Sequence, residues 1–577
     1  MTPEVSPEAG ERRGSEFDTP THEDTVWTSA NVQEVLPDQV SPMSWSLIGD
    51  VLNEARLRFM RRAGIRTSNR DPFIGLFYGR PFLNVSLLRE AAEQISGNSR
   101  EVDEQFLGIA AETGARAKRR SLREWLRVGA IIPRVLRVYL TLPGEVRRFQ
   151  TYVDGLEAEE EARPLEQYTL HELVALMVDR RGESKARAGV HIAVSAAAGS
   201  AFARLGRLTR RWLGDETGAL RDSLLSGWAS VESARPAYDL WDLSRIVLAS
   251  PQLTEAFAPK DGREIEQRLT MLEGADAGEF ARRLGAFLKG HGHRSVMEGD
   301  MSAATWSEDV PSLLAIIRNY LDATESSNPH HIEERQRQER RLATTRALER
   351  LNRWQRPLFR FSLRQAQRYV SLREHSKSLL IRANDRARRV MRALAQRLVQ
   401  EGLLGDEKAV FYLTWEEAIS LAEGRLAPER AAAAIHRRKA EEVRNRDIRL
   451  PGTFCGYPTP LAGEAAVESQ GNVLRGLPVA PGRVTGPARV ILDPRTDAAI
   501  RPGEILVAPV TDAAWTPLFV TAAGIVVDIG GTLSHGSIVA REYGRPAVVN
   551  TRIGTKVIRT GQIITVDGSQ GLVILEG

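Results

Sequence analysis

The chain has 577 residues, 42% of them apolar, with 79 basic against 74 acidic side chains and a net charge of +5. That length exceeds one hydrophobic core and predicts roughly two to four domains. The near balance of charge excludes a dedicated nucleic-acid binder, which concentrates basic residues on one face. The single cysteine, Cys455, excludes an internal disulfide, so nothing asks for an oxidising compartment.

Residues 1–25 are polar and have no apolar h-region, which predicts a disordered tail rather than a signal peptide. Residues 26–450 read as one mostly helical domain. Stretches such as Glu334–Glu401 are rich in Arg, Gln, Ala, Leu and Glu, with apolar residues at three- and four-residue spacing. Breakers at Asn69–Pro72, Pro236 and Pro259–Gly262 mark connections. The best membrane candidate, Ala188–Ala203, is short, rich in small residues and interrupted by His191. It reads as a close-packed internal helix rather than a span. No membrane partner is expected, and the protein reads as cytoplasmic.

Residues 451–472 are rich in Pro, Gly and small residues and predict a flexible linker. Fully extended, it would reach roughly 70 Å. Residues 473–577 then alternate short β-branched runs with turns: Ala488–Asp493, Glu504–Val510, Gly524–Asp528, Pro546–Asn550 and Ile563–Asp567. Helical pieces are expected near Ala514–Ala522 and His535–Tyr543. The fold class predicted is therefore multidomain α and α/β, with a large helical domain followed by a small α/β domain.

The sharpest signal is GIVVDIGGTLSHGSIVAREYGRPAVVN, Gly524–Asn550. A strand ends at Asp528, Gly530 and Gly531 make a turn, and an amphipathic helix begins at His535 with Ser534 or Thr532 as N-cap. Free N–H groups and the helix dipole would stabilise a phosphate there. The glycines would let a donor approach closely. A neutral imidazole is nucleophilic near pH 7. On these residues alone, an ordinary surface histidine in a first helical turn is the favoured reading.

The whole segment resembles the mobile phosphohistidine domain of the phosphoenolpyruvate-utilising enzymes, which include pyruvate phosphate dikinase, phosphoenolpyruvate synthase and rifampin phosphotransferase. Leu474–Val490, Ile505–Phe519 and Gly561–Val573 resemble that domain's opening strands, its next strand and helix, and its closing hairpin. The resemblance implies a swivelling domain with His535 as the phosphorylated residue and Gly530, Gly531 and Ser534 around the phosphate. The dikinases have Thr two positions before the histidine. Leu533 stands there here, as in the antibiotic phosphotransferase branch.

The helical body resembles that branch more loosely, at Val26–Leu47, Phe77–Asn84, His291–Asp300 and Val410–Ala418. Arg364, Arg368, Arg373 and Lys377 form a basic stripe. Arg373 and Lys377 share a helix face, and their repulsion would be relieved by an anion between them. The same stripe also fits a solvated face with Glu374 and Asp385 as local partners. Rifampin phosphotransferase has an Arg and a Lys at this spacing beside its acceptor, which implies a role for Arg373 and Lys377. His291 and His293 would line one side of an extended piece. The resemblance makes His293, Arg294 and Glu298 a wall of the acceptor site, and no metal site is assigned.

The sequence contains no Walker A motif. The resemblance implies an ATP-grasp partner that holds ATP and Mg²⁺, phosphorylates His535, and leaves this chain to pass the group to a small hydroxylated or enolic acceptor. Phenylphosphate synthase is a precedent for such division between subunits. The alternatives are a non-catalytic phosphohistidine carrier or regulator, which predicts a helical body without a pocket, and a ligand-binding relic of the family. The intact GGTLSHGSIVARE segment counts against a relic.

Overall fold

In the computed structural model the residues described are 14–30, 32–33, 35–36, 38–96, 99, 102–103, 122–227, 232, 234–461, 472–495 and 500–576. The chain divides into two compact units. One gathers residues 1–193, 299–302 and 379–465, and the other 194–298, 303–378 and 466–577. The single helical domain expected over 26–450 is therefore divided: its middle, residues 194–298 and 303–378, groups with the C-terminal α/β segment, and residues 379–450 return to the first unit. Two long helices, Leu170–Leu213 and Gln355–Gln400, run through the division. Helical periodicity continues across it without a breaker, so the pattern carries no boundary signal. Leu170–Leu213 is long and apolar enough to cross a membrane, and half of its most apolar window is buried within the protein.

In the first unit the helix Pro42–Ala63 starts at N-cap Ser41 with Pro at its first position, and ends at Gly64 in the left-handed region. Four short strands form a sheet in the order β2-β3-β1-β4: β1 Val26–Thr28, β2 Ile74–Phe77, β3 Arg80–Asn84 and β4 Thr453–Cys455. Strand β4 falls in the expected linker, whose residues 462–471 lie outside the described residues. What holds it is aromatic: Phe77 meets Trp27, Phe82, Phe454 and Tyr457 with ring centroids at 5.2, 5.9, 5.3 and 5.7 Å, all edge-on. The tail is likewise ordered from Gly14. The Asp18 carboxylate accepts from Tyr78 N at 2.7 Å, and Thr19 N donates to Leu76 O at 2.8 Å. Residues 1–13 of that tail lie outside the described residues.

In the second unit eight strands form one sheet. They are β5 Val473–Arg475, β6 Leu477–Ala480, β7 Arg483–Val490, β8 Ile505–Ala508, β9 Gly524–Val527, β10 Ala547–Val549, β11 Ile563–Asp567 and β12 Leu572–Leu575. Their order is β5-β12-β11-β7-β8-β9-β10-β6, with β7 through β10 parallel and the other pairs antiparallel. Strands β8, β9 and β10 are buried along their whole length, as parallel strands covered on both faces are. The helices Thr516–Thr521 and His535–Glu542 follow β8 and β9. Around this α/β segment lies a helical segment that includes Arg235–Ala249, Ala275–His291, Val310–Leu321 and the start of Gln355–Gln400. One core joins the two: Trp241, Phe287, Trp306 and Leu313 of the helical segment cluster with Trp515, Phe519, Ile538, Val539 and Tyr543.

Phe77→Ala should cost the first unit about 3–5 kcal/mol, because four rings lose their shared neighbour. A urea titration of the variant against the wild type measures this.

Candidate functional site

The carboxyl ends of parallel strands β8 and β9 point to one place, where such sheets hold ligands. After β8 the chain turns through Asp512 into Ala513–Trp515 and then Thr516. After β9 it passes Gly530 and Gly531 to His535. Asp512 sets the first turn by accepting from Ala514 N at 2.9 Å. Ser534 caps the His535 helix, accepting from Ser537 N at 3.2 Å, while Ser537 Oγ donates to Gly531 O at 2.7 Å. Gly536 brings the first helical turn close to that first loop. A Cβ there would lie 2.3 Å from Thr511 Oγ1.

His535 is 1% exposed. Its Nε2 is 3.0 Å from Thr516 Oγ1, and its Nδ1 is 3.8 Å from Glu374 Oε2. Burial pushes the imidazole pKa down, against the upward pull of Glu374, so the neutral ring is favoured. Glu374 is itself buried, and Arg373 donates to its Oε1 at 2.6 Å. Burial alone would raise this carboxyl; His535, Arg373 and Lys377 together outweigh it and hold Glu374 well below the usual carboxylate range.

The basic stripe therefore splits. Arg364 and Arg368 are exposed, whereas Arg373 is half-buried and Lys377 is buried. The anion beside Arg373 and Lys377 is a residue of the chain. Glu374, which the sequence offered only as partner on a solvated face, is the group that meets His535. Asp385 belongs to the other unit, where it pairs with Arg386 and Arg389.

The segment after His291 is a turn-rich loop, not an extended piece, so the expected alternation of His291 and His293 does not form. His291 ends its helix and meets Asp239 at 2.8 Å, while His293 is buried. Arg294 and Glu298 form a buried ion pair at 2.9 Å. Met297, in the left-handed region at φ 66°, donates its N–H to Asp512 at 2.8 Å. Burial first, and then Glu298, push the Asp512 carboxyl up to about 7. Among the described residues no cluster of three or more His, Cys, Asp or Glu is arranged to hold a metal.

Gly530 does not open a path to His535, because a Cβ there would meet Val549 and Ser534 at 3.3 and 3.4 Å. The expected amphipathic helix at His535 is also corrected: all eight of its residues are buried. Its polar side is covered by the helical segment. Arg541 donates to Thr532 O at 2.6 Å and lies 3.5 Å from Asp222, Glu542 accepts from Gly227 N at 3.0 Å, and Tyr543 OH donates to Ala234 O at 3.1 Å. Tyr320 OH donates to Pro517 O at 2.7 Å on the other side of the site. Sequence reasoning missed Thr516 and Asp512. Their signals were the Thr-Pro helix start and the Asp before Ala-Ala-Trp.

Residues 190–374 match the rifampicin phosphotransferase fourth domain, and residues 500–571 match the mobile domain of PEP-utilising enzymes. The rifampicin phosphotransferase of Streptomyces sviceus is 31% identical over 369 residues, 63% of this chain and 42% of that protein. The prodigiosin-synthesising transferase PigC of Serratia marcescens is 33% identical over 296 residues, 50% of this chain and 33% of that protein. Chondramide synthase cmdD of Chondromyces crocatus is 33% identical over 362 residues, 58% of this chain and 9% of that protein. The chain thus spans less than half the length of each of these relatives.

Glu374→Gln should lower the His535 pKa further, since it removes the larger of the two carboxylate interactions that raise it. Histidine-selective NMR titration reads the shift. The wild-type ring should take up its proton below the usual imidazole value, and the variant's ring at lower pH still.

Proposed function

From a chain related to the PEP-utilising enzymes, on the rifampicin phosphotransferase side, we propose a phosphotransferase in which His535 carries the phosphoryl group and the helical segment of the second unit presents the acceptor. The observation that carries this reading is the meeting of His535 with Glu374, beside Arg373 and Lys377. In this reading the α/β segment is the swivelling carrier, and the helical segment it packs against is its delivery site. At 1% exposure His535 is closed to any donor in this arrangement. The carrier must leave to be phosphorylated and return to deliver.

On return, the P–N bond of phospho-His535 breaks as an acceptor oxygen bonds to phosphorus. The acceptor's proton replaces the phosphoryl group on the imidazole. Arg373 and Lys377 neutralise the charge spread over the phosphoryl oxygens, and positioning with charge stabilisation supplies most of the rate. Thr516 meets Nε2 and Glu374 meets Nδ1 of the free ring; the nitrogen that carries the phosphoryl group gives up its partner, and the other keeps the ring oriented. Gly531 and Ser534 shape the phosphate's side of the helix start, and His293, Arg294 and Glu298 form a wall of the delivery site. The acceptor is a small hydroxylated or enolic molecule. The donor is an ATP-grasp partner that holds ATP and Mg²⁺, and phosphoryl transfer takes place in the cytoplasm.

A second reading, a carrier that delivers to another protein, is favoured by the closeness of side chains around His535. Two measurements separate the readings. With labelled ATP and a candidate ATP-grasp protein, acid-labile label should appear on the wild type and vanish in His535→Ala. Arg373→Ala and Lys377→Ala should still be labelled but should deliver to a small acceptor about 10²–10³-fold more slowly. No label with any donor would remove the catalytic reading. Unchanged delivery in both variants would leave the protein-to-protein carrier.

A further inference from the structure

Two buried carboxyls flank His535 that the transfer chemistry does not use. Asp512 lies on the turn that delivers Thr516 to the imidazole. Glu542 closes the far end of the His535 helix. Both belong to the α/β segment, and both accept a backbone N–H from the helical segment, Asp512 from Met297 at 2.8 Å and Glu542 from Gly227 at 3.0 Å. Met297 and Gly227 both hold positive φ, 66° and 55°. Of these two seats, Met297 is the unusual one, a non-glycine residue in the left-handed region, whereas Gly227 adopts its φ freely.

Each seat also faces a carboxylate from the helical segment that is itself ion-paired, Glu298 with Arg294 at 2.9 Å and Glu333 with Arg337 at 2.6 Å. Asp512 faces Glu298, and Glu542 faces Glu333. The cations near them are engaged elsewhere. Around Asp512 these are Lys377, which acts on Glu374, and Arg495, paired with Asp493 at 2.8 Å. Around Glu542 they are Arg541, set between Thr532 O and Asp222, and Arg340, bonded to Gly227 O. Tyr238 and Tyr543 also face Glu542, with phenol pKa values raised by burial. Two ionised carboxyls would therefore enter dry seats in which the neighbouring cations already hold other partners.

Resting on the phosphotransfer reading, we propose that Asp512 and Glu542 are positioning residues that seat the carrier on its delivery site, each entering as the neutral acid. Docking then takes up protons. Burial leads the causes that raise Asp512 to about 7 and Glu542 to about 8. When the carrier leaves, the groups that bury them stay behind, and both carboxyls ionise above about pH 5. A carboxyl with a raised docked pKa favours docking fully below its free value. It loses that contribution as pH rises to its docked value, tenfold per pH unit per proton. His535 runs the other way: docking favours its neutral ring, so it opposes docking below about pH 6.5. Glu374 is ionised throughout this range, and the tyrosines titrate above it. The docking constant should therefore fall on the order of a hundredfold between pH 6 and pH 8.

Hydrogen exchange of the His535–Glu542 amides in the full, unphosphorylated chain reads docking even when undocking is rare. After correction for intrinsic exchange, wild-type protection should fall on the order of a hundredfold from pH 6 to pH 8. In the Asp512→Asn, Glu542→Gln double variant that fall should vanish or reverse, leaving the His535 contribution. Asp512→Asn alone should remove its share of the slope. Its absolute protection will drop, because Ala514 N and Met297 N bond different oxygens of Asp512 and the amide NH2 replaces one of them, but the slope is the readout. A flat wild-type profile, or a double variant with the wild-type slope, overturns the proposal. No donor or acceptor is present in this measurement. Failure to label His535 would therefore sink the transfer reading and leave the pH result standing, and the reverse holds equally.

Discussion

A neutral histidine held dry against an ionised carboxylate is the constraint on which the second unit turns. His535 is buried, and so is Glu374, which stays charged because His535, Arg373 and Lys377 surround it. Isolated, either charged form would be costly to bury. Together the groups tolerate one another, and the arrangement requires that helix Gln355–Gln400 and helix His535–Glu542 meet at this point. The caps, turns and strand ends around them serve that meeting. Ser534 fixes where the helix starts, Asp512 fixes the turn before Thr516, and Gly536 lets the first helical turn approach the loop after β8.

The surface that brings them together is mixed in character. Trp515, Phe519, Ile538 and Tyr543 share a core with Trp241, Phe287 and Leu313, which supplies apolar area. Around that area run directed bonds: Tyr320 to Pro517, Tyr543 to Ala234, and Met297 and Gly227 to the two carboxyls. Apolar burial sets how strongly such a face holds, and the polar bonds set its register. In the proposed carrier, which would leave and return to one position, register matters as much as strength. Under the proposed docking, titratable groups within the register contacts would tie the position of the carrier to its protonation state.

The α/β segment was largely legible in the sequence. Its strands are short, β-branched and bounded by Gly, Pro or Asp, and Ser534 and Gly544 punctuate the His535 helix as capping chemistry demands. Local rules decide these features, and local rules can be read in a line of residues. The order in the linker and tail was not legible. Phe454, Tyr457 and Asp18 gain their places from Phe77 and Tyr78, hundreds of positions away for the first two.

The sequence by itself, through its resemblance to the mobile domain, singled out His535 as the candidate, and it determined the position of that residue at a helix start after a glycine turn and the helical and α/β character of the two stretches. Only the tertiary structure decided what that histidine meets. Glu374 reads as one more acidic residue in an Arg-rich helix, and Asp512 and Glu542 as surface carboxyls on a turn and an amphipathic helix. Their burial comes from residues about 160 to 315 positions away in the chain, packed by long-range contacts that no local pattern encodes. Charge in water is cheap and charge in a dry interface is not. The same carboxyl is therefore unremarked in the sequence and decisive in the fold.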